Sequence, residues 1–195
     1  MKKSVLFTVL LICLVINSFG QGSQPGTHDY NFALLVEMNH MVPADESYRE
    51  LYGFSAFLPG VRAEVKINRS NFAWGEFSFL TETGTTKGEM NEPIEADHFF
   101  IGFGGGFRIK LSQKSNLDLR YGGVFISYKE KAFQEEVSGD TFGLELGIDY
   151  RVRVLSRVFV DLYAAYITGK SKTEESKISI TLGGFKTGIG IGVGF

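Results

Sequence analysis

Three histidines, His28, His40 and His98, are the only imidazole bases the chain offers. Hydrolytic or acid–base chemistry needs such a base within hydrogen-bond reach of a nucleophile or an orienting carboxylate. His98 follows Asp97 at the end of an acidic stretch, where a solvated or capping histidine is the plain expectation. Asp149 and Asp161, or Glu145, fall in neighbouring alternating segments and could meet as a carboxylate pair. Arg151 and Arg153 lie beside them, so ion pairing is expected in place of an acid–base dyad. Glu82, Glu89, Glu92, Glu95 and Asp97 stand against Lys87 alone and carry enough oxygens for a calcium ion. Their spacing matches no EF-hand loop, and a solvated acidic surface is expected. Gly102 to Gly106 sits inside an alternating apolar segment and opens no helix, which excludes a phosphate loop. No catalytic, cofactor-binding or metal-ligating residue is assigned.

The elements that would position these groups begin after a targeting segment. Met1-Lys2-Lys3, the apolar run Val5–Ile16, and the small residues Ser18 and Gly20 make residues 1–20 a secretory signal peptide, cleaved before Gln21. The apolar run is shorter than the ~20 residues of a helical membrane span. Cys13, the only cysteine, lies within it, so the mature chain is not built on disulfides. Removing Lys2 and Lys3 takes the formal charge from −2 to −4. With no basic stripe, nucleic acid is not an expected partner. Residues 21–29 read as a short polar leader, and residues 30–195 as one domain.

That domain alternates with a period of two, the signature of strands. The clearest case is the last stretch, where Phe185, Thr187, Ile189, Ile191, Val193 and Phe195 share one face and Lys186, Gly188, Gly190, Gly192 and Gly194 the other. A soluble sheet would carry polar residues opposite its apolar face. A glycine face suits the inside of a narrow barrel, with the apolar face turned to lipid. Eight strands follow from the pattern: Tyr30–Asn39, a segment ending in Val61–Ile67, Phe72–Thr81, one from Phe99 to Leu111, one from Leu117 to beyond Phe125, Phe142–Val154, one from Val158 to Tyr166, and Ile178–Phe195. Short turns at 69–71, 112–116 and 155–157 alternate with long polar loops at 40–53, 82–97, 129–140 and 169–177. Long loops at one end and tight turns at the other are the habit of outer-membrane barrels. Pro59 predicts a bulge or a ladder that begins only after it. In the last strand the apolar parity switches at Gly183-Gly184, from Ile178, Ile180 and Leu182 to the odd-numbered set, which predicts a glycine bulge.

The charges decide inside from outside. Glu37, Glu64, Glu76, Asp118, Glu145, Asp149 and Asp161, with Arg62, Lys66, Arg108, Lys110, Arg120, Arg151, Arg153 and Lys186, all fall opposite the apolar rows. A lysine or arginine facing lipid near the bilayer midplane would cost ~2–4 kcal/mol. These fifteen residues are therefore expected to line the lumen as a salt-bridge network. Eight strands enclose only enough room for side chains, so the lumen is expected to be plugged. The four long loops hold 14 acids and 7 bases, an acidic surface.

The signal peptide, the eight alternating strands, the short turns at one end and the closing Gly188-Ile-Gly-Ile-Gly-Val-Gly-Phe195 resemble the small outer-membrane β-barrel family, which includes OmpA- and OmpX-like barrels and PorT-like porin-family proteins. The resemblance implies an all-β fold, an eight-stranded antiparallel transmembrane β-barrel preceded by a cleaved signal peptide, in the outer membrane with both termini on the periplasmic side. It implies outer-membrane lipid as surroundings and the barrel-assembly machinery as a partner during biogenesis. Phe195, Val193, Ile191 and Ile189 match the assembly signal such barrels carry on the final strand. The sequence ends at the barrel, so peptidoglycan anchoring by a following domain is not expected. Some barrels of this broad class modify lipid A, but the His-x-Ser pair of the deacylases is missing, because residue 100 is Phe. The expected role is non-enzymatic, in envelope integrity or interaction through surface loops with a ligand the residues do not name. The alternatives are a narrow porin-like channel for small solutes or ions and, behind it, a lipid A-modifying enzyme.

Overall fold

The computed structural model describes residues 30–85, 93–132, 135–172 and 179–195. Eight strands, β1 (Phe32–Pro43), β2 (Ala56–Lys66), β3 (Asn71–Thr85), β4 (Pro93–Lys110), β5 (Ser115–Ala132), β6 (Glu135–Arg153), β7 (Val158–Lys172) and β8 (Ser179–Gly194), pair antiparallel with their sequence neighbours, and β8 closes on β1. The signal peptide and leader expected over residues 1–29 lie outside the described residues, as do the acids Glu89 and Glu92 of the second loop.

The register fixes the shape. Paired residues lead from Ala33 through Glu64, Trp74, Gly104, Gly122, Glu145, Ile167 and Gly184 back to β1 at Pro43, ten residues further on. A stagger of that size tilts the strands by about 40° and leaves a lumen that side chains can fill. The turns between β2 and β3, β4 and β5, and β6 and β7 are four residues each, 67–70, 111–114 and 154–157. They share one end of the barrel with the start of β1 and the end of β8, where Asn31 donates to the Phe195 carbonyl at 2.8 Å. Short turns face the periplasm in outer-membrane barrels, which makes this the inner end.

The outward face is apolar between two aromatic rings. At the outer end Phe79 pairs with Phe99, Phe125 with Phe142 and Tyr166 with Phe185, all exposed. At the inner end exposed Phe32 and Phe195 pack 5.8 Å apart, with Phe107 and Tyr150 on other strands. Such a belt flanked by aromatic girdles is a lipid-facing surface. No described helix is long and apolar enough to cross a membrane, so the crossing is made by strands.

Three expectations need correction. The described parts of the long loops 82–97, 129–140 and 169–177 are strand, since β3–β4 pairing extends to Thr85↔Pro93, β5–β6 pairing to Ala132↔Glu135 and β7 runs to Lys172. Beyond the belt no lipid enforces an apolar face, so the ladders continue without leaving alternation in the sequence. The polar loop 40–53 contains the last residues of β1 and then a helix, α1 (Glu46–Tyr52). Asp45 caps it by accepting from the Tyr48 amide at 3.2 Å, and Gly53 ends it at φ 107°. The glycine bulge is absent: β7–β8 pairing runs unbroken from Val158↔Val193 to Lys172↔Ser179. Leu182 points inward with Lys186, and the apparent parity switch arises because the interior itself turns apolar there. Gly183 does take a positive φ of 116°, and a Cβ at that position would stand 2.5 Å from the Ile167 carbonyl oxygen. At Pro59 the ladder to β1 continues to Ala56, while pairing with β3 begins at Gly60.

Candidate functional site: the barrel interior and its outer mouth

The inward face divides into three layers. At the inner rim large rings lie across the glycine rows. A Cβ on Gly106 would stand 2.2 Å from the Phe72 ring, and one on Gly192 would stand 2.3 Å from Phe159. Trp74 fills the space that Gly102 and Gly122 leave, and its indole donates to the Gly105 carbonyl at 3.0 Å. Glycine therefore lines the barrel because aromatic rings from adjacent strands occupy the room its side chains would need.

Above the rim lies a network of charges. Arg62, fully buried, is its hub: its guanidinium reaches Glu37 at 3.1 Å, Glu64 at 3.4 Å, Asp149 at 3.2 Å and Asp161 at 2.9 Å. Arg120 holds Asp149 at 2.7 Å and Glu145 at 2.9 Å, with Glu76 at 3.6 Å. Arg151 clamps Glu64 at 2.8 Å and Asp161 at 2.7 Å, and donates to the Tyr30 hydroxyl at 3.0 Å. Arg108 binds Asp118 at 2.7 Å and Glu64 at 3.0 Å, and Lys186 binds Glu76 at 2.7 Å and Glu145 at 3.5 Å. Ring faces complete the cage, with Arg151 4.0 Å above Phe159, Arg108 4.9 Å above Phe72 and Arg120 5.1 Å above Trp74. Planar guanidinium groups with five donors each can satisfy several carboxylates at once, which is why arginine outnumbers lysine here.

Twelve of the fifteen charged residues singled out above meet in this network. Lys66, Lys110 and Arg153 instead stand at the inner rim, Lys110 exposed and the other two half-buried. The network thus sets five cations against seven carboxylates, with the rim cations below to offset the surplus. Asp149 and Asp161 do converge, but through Arg62, so the carboxylate pair is ion-paired and no water reaches it.

The outer half of the interior is apolar, which period-two reading missed. Met41, Ala56, Leu58, Leu80, Phe100, Val124, Ile126, Tyr128, Ile167 and Leu182 form one buried cluster spanning seven strands. The signal was present on the inward parity, where Gly122 is followed by Val124 and Ile126, and Gly102 is preceded by Phe100. At the boundary, buried Asn39 and Ser78 form no side-chain hydrogen bond.

Above this cluster, beyond the outer aromatic ring, α1 covers the mouth. Tyr48 is buried there and donates to Glu82 Oε2 at 2.9 Å; its ring lies 4.5 Å from Tyr52 and 5.4 Å from His98. His98 is only 3% exposed and packs on Phe100 and Tyr128, which overturns the solvated or capping role expected for it. Apolar neighbours on the inward face, invisible from the acidic stretch beside it, account for the difference. Burial raises the carboxyl of Glu82, against the Tyr48 hydrogen bond, and burial alone raises Glu130. Burial and the two carboxylates push the Tyr48 and Tyr52 hydroxyls up, so both stay neutral. Among the described residues no three His, Cys, Asp or Glu side chains converge on a metal-sized site.

On the final strand Ile189, Ile191 and Phe195 are exposed to the lipid side and Val193 is half-buried on the same face.

No family model matches the chain, and no curated protein matches it in sequence. Solved structures do. Neisserial surface protein A superposes with a TM-score of 0.66 at 12% identity, over 85% of this chain and 97% of that one. OprG of Pseudomonas aeruginosa gives 0.62 at 9% identity, over 87% and 98%. Ail, the attachment invasion locus protein of Yersinia pestis, gives 0.55 at 13%, over 85% and 99%. The fold is that of the small outer-membrane barrels. With its own lipid-facing belt, the chain is an outer-membrane β-barrel protein.

Proposed function

We propose that this protein is a non-enzymatic surface barrel whose lumen is sealed and whose work is done by its outer mouth and hairpins, in envelope integrity or surface interaction. One observation carries the reading: a buried apolar cluster lies directly above a charge network that is buried except at partly exposed Arg108, which supports a lumen closed to ions. Ions crossing such a layer would shed water without compensation. Catalysis finds little support, because the candidate carboxylates are held by arginines and His98 is enclosed by rings. The test is solute flux: proteoliposomes carrying the barrel should swell in small sugars no faster than empty vesicles. Swelling above that background favours the narrow-channel alternative. Unaltered lipid A mass on overexpression is expected as well, and a mass change lost in His98→Ala would establish the enzymatic alternative.

The final strand is proposed to address the barrel-assembly machinery through Phe195, Val193, Ile191 and Ile189. Deleting Phe195 should lower the amount of barrel in the outer membrane while leaving refolding from urea into detergent micelles nearly normal. Equal loss in both assays would make Phe195 a structural residue only.

A further inference from the structure

Among the described residues the outer mouth gathers groups that attract positive charge and ion-pairs them with none. Glu82 and Glu130 are half-buried above the apolar cluster, and both act electrostatically on Tyr48 and Tyr52. Among the described residues no lysine or arginine is ion-paired with either carboxylate. Arg49, the cation of α1, donates instead to the Pro43 carbonyl at 2.8 Å. Between the acids stand the tilted, contacting rings of Tyr48 and Tyr52, with His98 against Tyr48 and, edge-on at 6.3 Å, against Tyr128. Two buried atoms of this cluster form no hydrogen bond, His98 Nε2 and the Tyr52 hydroxyl. Unsatisfied buried polar atoms call for a physical reason. Here they point the same way, since an imidazole nitrogen and a phenolic oxygen can each accept an N–H.

We propose that the outer mouth binds a small organic cation, a primary alkylammonium group, seated among Tyr48, Tyr52 and His98 with Glu82 and Glu130 as counter-charges. Ring faces carry negative potential and hold such cations best where water is partly excluded. A metal ion fits poorly, because its oxygen and nitrogen ligands would have to converge on one point and these do not. An anion is excluded by the two carboxylates. Burial holds both carboxyls up, and a bound ammonium group beside them would lower them again. This goes beyond the sealed-barrel reading and stands whether or not the lumen conducts, since every group lies on the outer side of the apolar layer.

The experiment is an NMR titration of the folded barrel in uncharged detergent micelles, following the ring signals of Tyr48, Tyr52 and His98. The probe is n-butylammonium chloride, with tetramethylammonium chloride, which has no N–H to donate, and sodium chloride at matched ionic strength as references. Saturable shifts with n-butylammonium are expected, at least tenfold weaker in the Glu82→Gln/Glu130→Gln double variant and unchanged in Asp140→Asn. Heat-modifiable gel mobility reports whether the variants fold. If the double variant does not fold, Tyr52→Leu takes its place and should weaken n-butylammonium binding several-fold. Shifts that never saturate, that sodium reproduces, or that survive in the folded variants would overturn the proposal.

Discussion

The inner and outer halves of the barrel interior solve the same problem by opposite means. Both line an interior that, with eight strands, is about wide enough for side chains to fill. The inner half does it with charge: Arg62 alone answers four carboxylates, and every member must stand where its partners need it. The outer half does it with volume: Leu58, Leu80, Phe100 and Ile126 need only to be apolar and of about the right size. Charge complementarity is directional and intolerant of loss, because removing one partner strands the others without water. Apolar packing is forgiving of shape so long as volume is kept. The difference teaches where this barrel is specified and where it is merely filled.

That contrast can be broken in order of size. Arg62→Met should be the most damaging single change, destabilising by about 3–5 kcal/mol as four carboxylates lose their shared cation; urea unfolding from lipid vesicles measures it. A loss below that of any outer-half truncation would erase the distinction. Leu58→Ala should come next, at about 2–4 kcal/mol in the same assay, from lost burial and the cavity left behind. Leu58→Met, which keeps the volume, should cost under about 1.5 kcal/mol. If it costs as much as the alanine variant, the outer half is as exacting as the inner.

The smallest effect belongs to the mouth and depends on pH. Glu82 and Glu130 have raised carboxyls, so between the ordinary carboxylate range and their folded values the closed mouth holds more protons than the open one. Its stability is full at low pH and is lost as pH rises through those raised values. Tyr48 and Tyr52 stay neutral throughout, since their hydroxyls are pushed up. Hydrogen-exchange protection of the α1 amides should therefore fall as pH rises through those raised values. Glu82→Gln/Glu130→Gln should flatten the dependence, and protection that rises with pH would reverse the sign and refute it.

How much of this was legible depended on what the environment demanded of each residue. Lipid imposes alternation wherever a strand crosses it, so the eight strands, the outward Phe rows and the inward position of Arg62 or Asp149 could be read directly. Above the aromatic ring that demand ends, and the upper parts of β3 to β6 and the short helix at Asp45-Glu46 looked like loop. The apolar cluster was hidden for another reason. Where Phe99 and Phe100, or Phe125 and Ile126, are both apolar, alternation vanishes, although one faces lipid and the other the lumen. Leu182 misled in the same way and suggested a bulge where the register is continuous. The acid–tyrosine mouth could not be anticipated, because Tyr48, Glu82, His98 and Glu130 come from four separate elements joined only by the register.

The sealed interior is the claim on which the account rests, and single-channel recording in planar bilayers tests it most directly. The folded barrel, inserted in 1 M salt on the order of a hundred times over, should show no steady current at either polarity, because the apolar layer offers ions no replacement for their water. A reproducible, steady conductance from the unmodified protein would contradict it.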